Sequence, residues 1–305
     1  MIWFQRRGYK LASIEAYGLS KNIIKLAKTF LSISRAKSII KNFKPDVVIG
    51  TGGYICGPVL LSSTKLKIPT LLHESNAFPG KAVRMLAKKV DAVLVGFEDA
   101  KKRLTNAKKV VVTGSPTKMT YIQNNNINER PVLLVFGGSL GAKSINDAFK
   151  GIFEKKLNNN YDIIFATGKT QFDNMKEYNN DKNIKIVPYI YNMEEIMNKV
   201  DLIVCRSGAM TVTEIAVVGK PAIFIPYPYA TENHQEYNAK VLENIGAAKI
   251  ILDKDLNSET LSKTINEIIH NKELLEIMSK ASKGASIEGV ENKIYEEIQK
   301  VISST

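Results

Sequence analysis

"DLIVCRSGAMTVTE" at residues 201–214 joins an apolar run directly to a turn of small residues and then to a segment with helical periodicity. This succession predicts a buried strand that passes through a tight turn into a helix. The backbone N–H groups at the start of such a helix are exposed and carry partial positive charge, so phosphate binds well there. The stretch therefore predicts a strand–turn–helix unit that suits a phosphorylated ligand.

More apolar runs of strand length recur along the chain, and segments with a helical period lie between them. Strands that are apolar on both faces and joined by helices belong in parallel sheets covered by helices. The sequence therefore predicts the α/β class with doubly wound parallel sheets. The runs are "DVVIG" 46–50, "PTLLHE" 69–74, "DAVLVG" 91–96, "KVVVTG" 109–114, "PVLLVFGG" 131–138, "YDIIFATG" 161–168, "NIKIVPY" 183–189, "DLIVC" 201–205 and "PAIFIP" 221–226, and the helical segments are 57–66, 79–89, 141–157, 210–218 and 231–246.

The chain divides near residue 118. The segment "TGSPTKMTYIQNNNINERP" at 113–131 interrupts the alternation with prolines and an asparagine run, which is typical of a linker between domains. Residues 1–118 hold 22 of the 43 Lys and Arg but only 6 of the 30 Asp and Glu, a formal balance of +16, whereas residues 119–305 balance at −3. We therefore expect two Rossmann-like domains. The periodicity leaves open to which of them the final helix, about 285–302, belongs.

The composition narrows the class of partner. A basic domain attracts nucleic acid, phosphorylated substrates or anionic membranes. No RNA-recognition motif or helix-turn-helix pattern is evident, which disfavours nucleic acid. Cys56 and Cys205 belong to no CxxC pair, so the sequence predicts neither a disulfide framework nor a zinc site and favours a reducing compartment. It contains no signal-peptide pattern and no apolar stretch of the roughly 18 residues that a membrane span needs.

Glycine-rich turns "GTGGYICGP" (50–58) and "FGGSLGAKS" (136–144) also follow predicted strands. A tight strand–helix connection uses glycine for its own geometry, so either turn alone has two interpretations. Two such turns facing one cleft favour phosphate binding. Glu214 follows the turn at 207–211 by about one helical turn, where it suits a ribose diol, although a carboxylate near a helix start often only complements the helix dipole. Thr211 and Thr213 have the ordinary interpretation of helix-capping hydroxyls.

Six ordered blocks resemble the MurG family of membrane-associated N-acetylglucosaminyltransferases, which convert lipid I to lipid II in peptidoglycan synthesis. The blocks are "KPDVVIGTGGYICGP", "IPTLLHESNAFPGKA", "VVTGSP", "LLVFGGSLGAKSIN", "VCRSGAMTVTEIAVVGKPAIFIPYP" and "NHQEYNA", and they span essentially the whole chain. The resemblance implies a GT-B fold, with two Rossmann-like domains facing across a cleft. Residues 1–118 would bind the acceptor and the membrane, and residues 119–288 would bind UDP-GlcNAc. The helix at 289–305 would return to the first domain.

The resemblance also implies the donor-binding residues. Ser139 in "GGSLGA" would bind the donor phosphate, and the backbone of Ile190 in "PYIYNM" would meet the uracil. The helix start that would receive the diphosphate, ending in the ribose ligand, comprises Ser207, Gly208, Ala209, Met210, Thr211, Val212, Thr213 and Glu214. The family needs no metal or other cofactor.

Four further positions carry over from the family. Gln235, with His234 beside it, would contact the sugar hydroxyls, and Asn76 in "HESNAFPG" would reach the donor from the first domain. Lys118 stands where the family usually has arginine, so it keeps the charge but loses the bidentate geometry. "DKD" at 253–255 matches the metal motif of other glycosyltransferases. Because it follows the strand "AAKIIL" near the C-terminus, we expect only a solvated turn away from the cleft.

His73 and Glu74 are the candidate catalytic residues. A histidine at the end of a parallel strand points toward the edge where ligands bind, and it can orient an acceptor or relay a proton. A hydrogen bond of the same histidine into the domain edge is an equal alternative. MurG proteins begin with a "GGTxGH" loop whose histidine is a leading candidate for the base. The resemblance implies that this chain starts roughly 40 residues later, about one βαβ-sized piece, and a real loss would weaken donor binding and turnover.

Segment 21–43 combines an apolar stripe with many lysines and arginines. Burial against the sheet explains one stripe, but the segment has more apolar residues than one stripe requires, which favours an anionic membrane surface. We expect membrane contact through Ile23, Ala27, Phe30 and Ile33, at the cytoplasmic face of the cell membrane. The alternatives are another GT-B enzyme, such as a UDP-GlcNAc 2-epimerase, and a non-catalytic UDP-sugar-binding or membrane-binding remnant.

Overall fold

A computed structural model describes residues 8–14, 23–53, 55–122, 130–158, 160–180 and 182–304 of the chain, and it describes the side chains of the first helix from residue 31 onward. The chain divides into two units. One unit comprises Met1–Gly114 together with Gly289–Thr305, and the other comprises Ser115–Glu288. Among the described residues each unit contains one β-sheet, and every strand pair in both sheets is parallel.

The first unit contains a four-stranded sheet in the order β1-β2-β3-β4. The strands are short and apolar, and strands that follow one another in sequence are neighbours in the sheet, as is common for parallel strands joined by helices. The elements are α1 (Ile23–Phe43), β1 (Val48–Gly50), α2 (Cys56–Lys65), β2 (Thr70–Glu74), α3 (Lys81–Ala87), β3 (Ala92–Val95), α4 (Glu98–Lys101), β4 (Val110–Val112) and, from the other end of the chain, α11 (Val290–Ser303).

Helix α11 packs on the first sheet although it follows the second unit in sequence. Ile294, Ile298 and Val301 lie against a cluster that includes Leu71 and Leu94 of the sheet. Its buried Glu297 forms ion pairs with Lys109 and Lys300. Apolar burial and a compensated carboxylate together hold this helix in the first unit.

The second unit contains a six-stranded sheet in the order β10-β9-β8-β5-β6-β7. The order reverses between β5 and β8, which makes the sheet doubly wound and places a ligand crevice at the carboxyl ends of these strands. The elements are β5 (Val132–Phe136), α5 (Lys143–Glu154), β6 (Asp162–Ala166), β7 (Ile184–Val187), α6 (Met193–Lys199), β8 (Leu202–Cys205), α7 (Ala209–Val218), β9 (Ala222–Phe224), α8 (His234–Glu243), β10 (Ala248–Ile250), α9 (Ser258–Ile269) and α10 (Lys272–Gly284), with single 3₁₀ turns at Phe172–Asn174, Lys176–Tyr178, Thr231–Asn233 and Asp253–Asp255.

The core of the second unit lies on the sheet between its covering helices. The central strands are fully buried, as expected for parallel strands with helices on both faces. The rings of Phe149 in α5 and Phe165 in β6 pack at a tilt of 55° with their centroids 5.1 Å apart, so aromatic packing contributes to the core on this face. A rigid sheet with a buried centre fixes the positions of the carboxyl ends of β5, β8 and β9, where the loops begin.

The predicted α/β class with parallel sheets is confirmed. Each apolar run forms a strand, although most observed strands are one or two residues shorter at their ends. The ends of the runs shorten because glycine and proline there belong to the turns. Among the described residues, no helix has the length and apolar character needed to cross a membrane.

Candidate functional site

A cavity of about 750 Å³ opens at the carboxyl edge of the second sheet. Three loops that follow β5, β8 and β9 line most of it, as the strand-order reversal predicts. The lining residues are Gly137, Gly138, Ser139, Leu140, Gly141, Ala142, Lys143, Ser144, Asp147, Arg206, Gly208, Thr211, Tyr227, Pro228, Tyr229, Gln235 and Asp253. The cavity therefore brings together two of the glycine-containing turns that the sequence singled out.

The start of α7 presents free backbone donors to this cavity. Gly208 is the residue before the helix, and no side chain caps it. The first helical bond runs from the Val212 amide to the Gly208 carbonyl at 3.0 Å, so the amides of Ala209, Met210 and Thr211 precede the hydrogen-bonded ladder. The aligned peptide dipoles add positive potential at the same place. This helix start is a suitable place for a diphosphate.

The glycine-rich loop after β5 closes tightly on a neighbouring loop. Gly141 has a φ of +79°, and a Cβ at this position would lie 2.1 Å from the Thr167 carbonyl oxygen. The Gly141 amide also bonds to the Gly138 carbonyl at 3.0 Å. Only glycine fits this approach, and the resulting turn leaves Ser139 exposed at its tip. Ser139 thus lies in the cavity, where a phosphate ligand is expected.

The turn between β8 and α7 is held by α8. The Ser207 hydroxyl is buried and donates to the Gln235 carbonyl at 2.8 Å. Asn238 donates in turn to the Ser207 carbonyl at 3.2 Å. Gln235 accepts at its Oε1 from the Tyr227 amide at 3.0 Å, which leaves its Nε2 as the donor on the cavity side. Ser207 therefore supports the turn, whereas Gln235 keeps a donor for a ligand.

Glu214 is a half-buried carboxylate one turn into α7. Burial raises the pKa of its carboxyl group. Burial, and next the charge of Glu214, also raises the pKa of the neighbouring Cys205 thiol. Within the described ranges of the chain, no protein donor bonds to the Glu214 carboxylate. A desolvated carboxylate that lacks partners retains its full capacity to accept hydrogen bonds from a ligand.

Arg206 and Asp253 form a hydrogen-bonded ion pair in the same cavity. Arg206 Nη1 lies 2.6 Å from Asp253 Oδ1, with 12% and 22% of the two side chains exposed. The prediction of a solvated turn at 253–255 is therefore wrong for Asp253, because α/β crossovers bring the loop after β10 back to the edge where Arg206 is buried. It is right for Asp255, which is exposed.

Other predicted donor residues lie in the second unit but do not line the cavity. Ile190 follows β7 with its side chain buried, and Lys118 is exposed. Val212 is fully buried and packs in the core, and the Thr213 hydroxyl is buried without a hydrogen-bond partner in the described structure. His234 begins α8 next to Gln235 and is half-buried.

The candidate catalytic residues of the first unit are hydrogen-bonded within it. His73 is buried at the end of β2, with its Nε2 2.9 Å from the Gly114 carbonyl oxygen and its Nδ1 3.4 Å from Ser75 Oγ. Because a carbonyl only accepts, Nε2 donates this bond, and in the tautomer with its single proton on Nε2 the other nitrogen, Nδ1, is an acceptor. The bond into the domain edge that the sequence left as an alternative is present.

Glu74 organises the loop that follows β2. Its Oε1 accepts from the backbone and side-chain nitrogens of Asn76, both at 2.9 Å, and its Oε2 accepts from the Gly80 amide at 3.0 Å. Only 5% of the residue is exposed. Glu74 thus fixes the position of Asn76, the residue expected to contact the donor.

The predicted membrane residues lie on α1. The side chains of Ile23, Ala27 and Phe30 lie outside the described residues. Ile33 is half-buried, and its carbonyl accepts from the Ser62 hydroxyl of α2 at 3.0 Å. Two other apolar side chains of the helix, Leu31 and Phe43, are 70% and 65% exposed.

Sequence reasoning missed the residues that line the cavity through tertiary contacts. Arg206 could have been found from the sequence, because it directly follows a fully apolar strand. A charged residue in that position is largely buried and needs polar partners. Tyr229 carries no such local signal. Ser144 lies in the predicted turn 136–144 and Asp253 in the "DKD" stretch, but nothing local pairs either of them with Arg206. In the described part of the chain, no group of three or more His, Cys, Asp or Glu side chains could hold a metal ion.

Comparisons with known proteins agree with this geometry. The C-terminal domain of glycosyltransferase family 28 matches residues 132–294, and the N-terminal domain of the same family matches residues 3–95. This chain belongs to glycosyltransferase family 28. The family match covers the cavity and both glycine-rich turns of the second unit.

Relatives within family 28 are MurG proteins. A UDP-N-acetylglucosamine–N-acetylmuramyl-(pentapeptide) pyrophosphoryl-undecaprenol N-acetylglucosamine transferase of Ruminiclostridium cellulolyticum is 39% identical over 97% of this chain and 87% of its own length. The transferase of the same name from Bacillus cytotoxicus is 40% identical over 97% of this chain and 86% of its own length. The crystal structure of Acinetobacter baumannii MurG aligns with a TM-score of 0.82 and 30% identity, over 98% of this chain and 87% of that one. The predicted MurG resemblance and GT-B fold are confirmed.

Proposed function

We propose that this family 28 enzyme transfers N-acetylglucosamine from UDP-GlcNAc to the C4 hydroxyl of the muramoyl unit of lipid I, giving lipid II for peptidoglycan synthesis. The observation that carries the proposal is the 39–40% identity, over 97% of the chain, to transferases named for this donor and acceptor. The cavity of the second unit supports it, because the uncapped start of α7 and a glycine-rich turn meet there.

The donor diphosphate would bind at the start of α7. Its charge would be met by the amides of residues 209–211, by Ser139 on the glycine-rich turn and by the exposed Lys118. Glu214 would accept two hydrogen bonds from the ribose diol, and the backbone at Ile190 would meet the uracil. The free Nε2 of Gln235, with His234 beside it, would bind the sugar hydroxyls.

Departure of UDP leaves negative charge on the diphosphate. Preorganised N–H groups at a helix start stabilise such charge without reorganisation during the reaction. We therefore infer that the protein's own donors suffice and that the transfer needs no metal ion. The reaction inverts the anomeric carbon, since the acceptor hydroxyl attacks C1 as UDP leaves.

The acceptor hydroxyl must lose a proton during the attack. Of the titratable side chains on β2, His73 is the candidate base, and its Nδ1 is the available nitrogen because Nε2 donates to Gly114. Ser75, 3.4 Å from Nδ1, would lie between the ring and the acceptor. Glu74 would contribute by holding Asn76 rather than by proton transfer. Replacement of His73 by glutamine should lower kcat while leaving UDP affinity unchanged.

The acceptor's lipid chain implies contact with a membrane. The first unit carries the basic charge, and α1 exposes Leu31 and Phe43 next to lysines and arginines. We place the enzyme at the cytoplasmic face of the membrane as a peripheral protein. Leu31→Ser or Phe43→Ser should weaken binding to phosphatidylglycerol vesicles roughly tenfold. Tyr295→Ser, at a residue of α11 that is 62% exposed, is the matched control.

A transfer assay tests the function directly. The purified full chain is incubated with UDP-GlcNAc and a lipid I analogue, and UDP release and lipid II formation are followed together. We expect release with the acceptor and none with water alone. Conversion of the donor to UDP-ManNAc without acceptor would identify an epimerase instead. Donor binding without any turnover would identify a binding protein.

A further inference from the structure

Arg206 is a buried cation at the edge of the proposed donor cavity. Only 12% of its side chain is exposed. Its Nη1 donates to the carbonyls of Ile225 and Pro226, each at 3.0 Å, and to Asp253 Oδ1 at 2.6 Å. Its Nη2 donates to Ser144 Oγ at 2.8 Å. The guanidinium therefore bonds to three separate segments of the chain.

Ser144 closes the arrangement into a ring. A hydroxyl has one proton to donate and two lone pairs that accept. Ser144 accepts from Arg206 and gives its proton to Asp253 Oδ1 at 2.7 Å. The three side chains therefore bond to one another in a closed ring, and the cation and the carboxylate compensate each other. A closed polar network of this kind favours one geometry.

The ring joins the loops that line the cavity. Ser144 lies in the first turn of α5, directly after the glycine-rich turn. Arg206 precedes the free amides of α7, and its guanidinium lies 5.5 Å from the Tyr227 ring. Asp253 begins the turn after β10. The distance between the glycine-rich turn and the start of α7 therefore depends on these three side chains.

We propose that Arg206, Asp253 and Ser144 are positioning residues that hold the glycine-rich turn and the start of α7 at the spacing that a nucleoside diphosphate requires. This inference rests on the proposed function, since it assigns a role in the same donor site. Asp253 neutralises Arg206, so the ring acts through geometry. Asp253 is thus a structural carboxylate of the donor cavity, and the "DKD" sequence serves no metal.

A direct electrostatic role of Arg206 and a positioning role predict opposite changes in the UDP affinity of Asp253→Asn. If the guanidinium mainly attracted the diphosphate, Asp253→Asn would unmask its charge and strengthen UDP binding. If the ring positions the loops, the same change weakens binding because Arg206 loses the partner that fixes it. The direction of the change in UDP affinity therefore separates the two roles.

The test is calorimetric titration of the full chain with UDP, with and without magnesium. Asp253→Asn should weaken UDP binding roughly tenfold or more, because small displacements of binding groups have effects of that size. Asp255→Asn changes the exposed carboxylate of the same turn and should match the wild type. Arg206→Lys keeps the charge but loses the fork, so it should resemble Asp253→Asn. Ser144→Ala should weaken binding several-fold.

Steady-state kinetics separates positioning from simple loss of stability. At a temperature where thermal denaturation shows each variant folded, the donor KM should rise while the acceptor KM stays unchanged. Should Asp253→Asn fail to fold, Ser144→Ala, which removes no charge, decides the matter.

Three results overturn this inference without touching the proposed function. The first is wild-type UDP affinity in Asp253→Asn or, if that variant does not fold, in Ser144→Ala. The second is tighter UDP binding by Asp253→Asn, and the third is a magnesium-dependent loss of UDP binding that Asp253→Asn and Asp255→Asn share. Absence of UDP binding by the wild-type chain would instead overturn the proposed function, and this inference with it.

Discussion

Glu74 ends strand β2 of the first sheet and Glu214 lies one turn into α7 of the second unit, and the surroundings of the two carboxylates are opposite. Glu74 accepts three N–H hydrogen bonds from Asn76 and Gly80. Glu214 is half-buried, its pKa is raised by burial, and no protein donor bonds to it in the described structure. The first carboxylate stabilises a loop of its own unit, whereas the second keeps its hydrogen-bonding capacity free.

The same contrast extends to the backbone around each carboxylate. The loop after β2 uses a side chain to satisfy its amides, while the start of α7 leaves its amides uncapped. An uncapped helix start and an unpaired carboxylate both cost stability in the free protein. Sites that bind ligands commonly tolerate such costs, because the ligand supplies the missing partners. The second unit thus keeps hydrogen-bonding groups available for the proposed ligand.

The largest effect is expected for a substitution of Gly141, which shapes the glycine-rich turn after β5. A Cβ there would lie 2.1 Å from the Thr167 carbonyl oxygen, and the φ of +79° strains any other residue. Gly141→Ala should cost roughly 3–5 kcal/mol of stability in the second unit and abolish measurable UDP binding. Hydrogen exchange of the β5 and β6 amides measures the first effect. Gly57→Ala, on a helix with open space around the added Cβ, is the control.

Glu74→Gln should have the next largest effect, and it should fall on stability. The new amide group must point its own N–H donors at either Gly80 or Asn76, which leaves buried donors facing each other. We expect a loss of roughly 2–4 kcal/mol, measured by hydrogen exchange of the β2 and β3 amides. Glu98→Gln on the exposed face of α4 should change stability by less than about 0.5 kcal/mol. An equally small loss in Glu74→Gln would remove the contrast between the two carboxylates.

Glu214→Gln should show the opposite pattern. Replacement of a desolvated, unpaired carboxylate by a neutral amide should leave stability unchanged or slightly higher. The affinity for UDP should nevertheless fall about 10- to 100-fold, because hydrogen bonds to a charged acceptor are strong. Thermal denaturation and calorimetric titration of the same sample give both quantities. A destabilised variant with normal affinity would contradict the assignment of Glu214 to the ligand.

The smallest expected effect is a pH dependence that Glu214 should confer. Because the folded-state pKa of Glu214 is raised, ionised Glu214 costs stability at neutral pH, and that cost disappears as pH falls through the raised pKa. Donor binding should change in the reverse sense, since the ribose diol needs the ionised carboxylate. Below that pKa, UDP-GlcNAc affinity should fall about tenfold per pH unit. In Glu214→Gln this component should be absent.

The α/β class, the parallel sheets and the glycine-containing turns after the strands were predictable because they rest on local patterns. A strand of "DLIVC" or "PVLLVF" is set by neighbouring residues, and a glycine turn after it places free amides at a helix start. The position of Glu214 relative to those amides follows from the helical repeat. The family resemblance then supplied the chemistry of the ligand.

Only the tertiary structure decided which side chains meet at the edges of the sheets. Ser144 and Asp253 are 109 residues apart in sequence and 2.7 Å apart in space, and His73 bonds to a carbonyl 41 residues away. Such pairs depend on strand order and on crossover paths, which local periodicity does not encode. The sequence by itself therefore determined that strands and glycine-containing turns exist and that a carboxylate follows one of these turns. The packing of the sheet determined that the half-buried Asp253 is the partner of Arg206, because an unpaired guanidinium that is largely withdrawn from water is too costly.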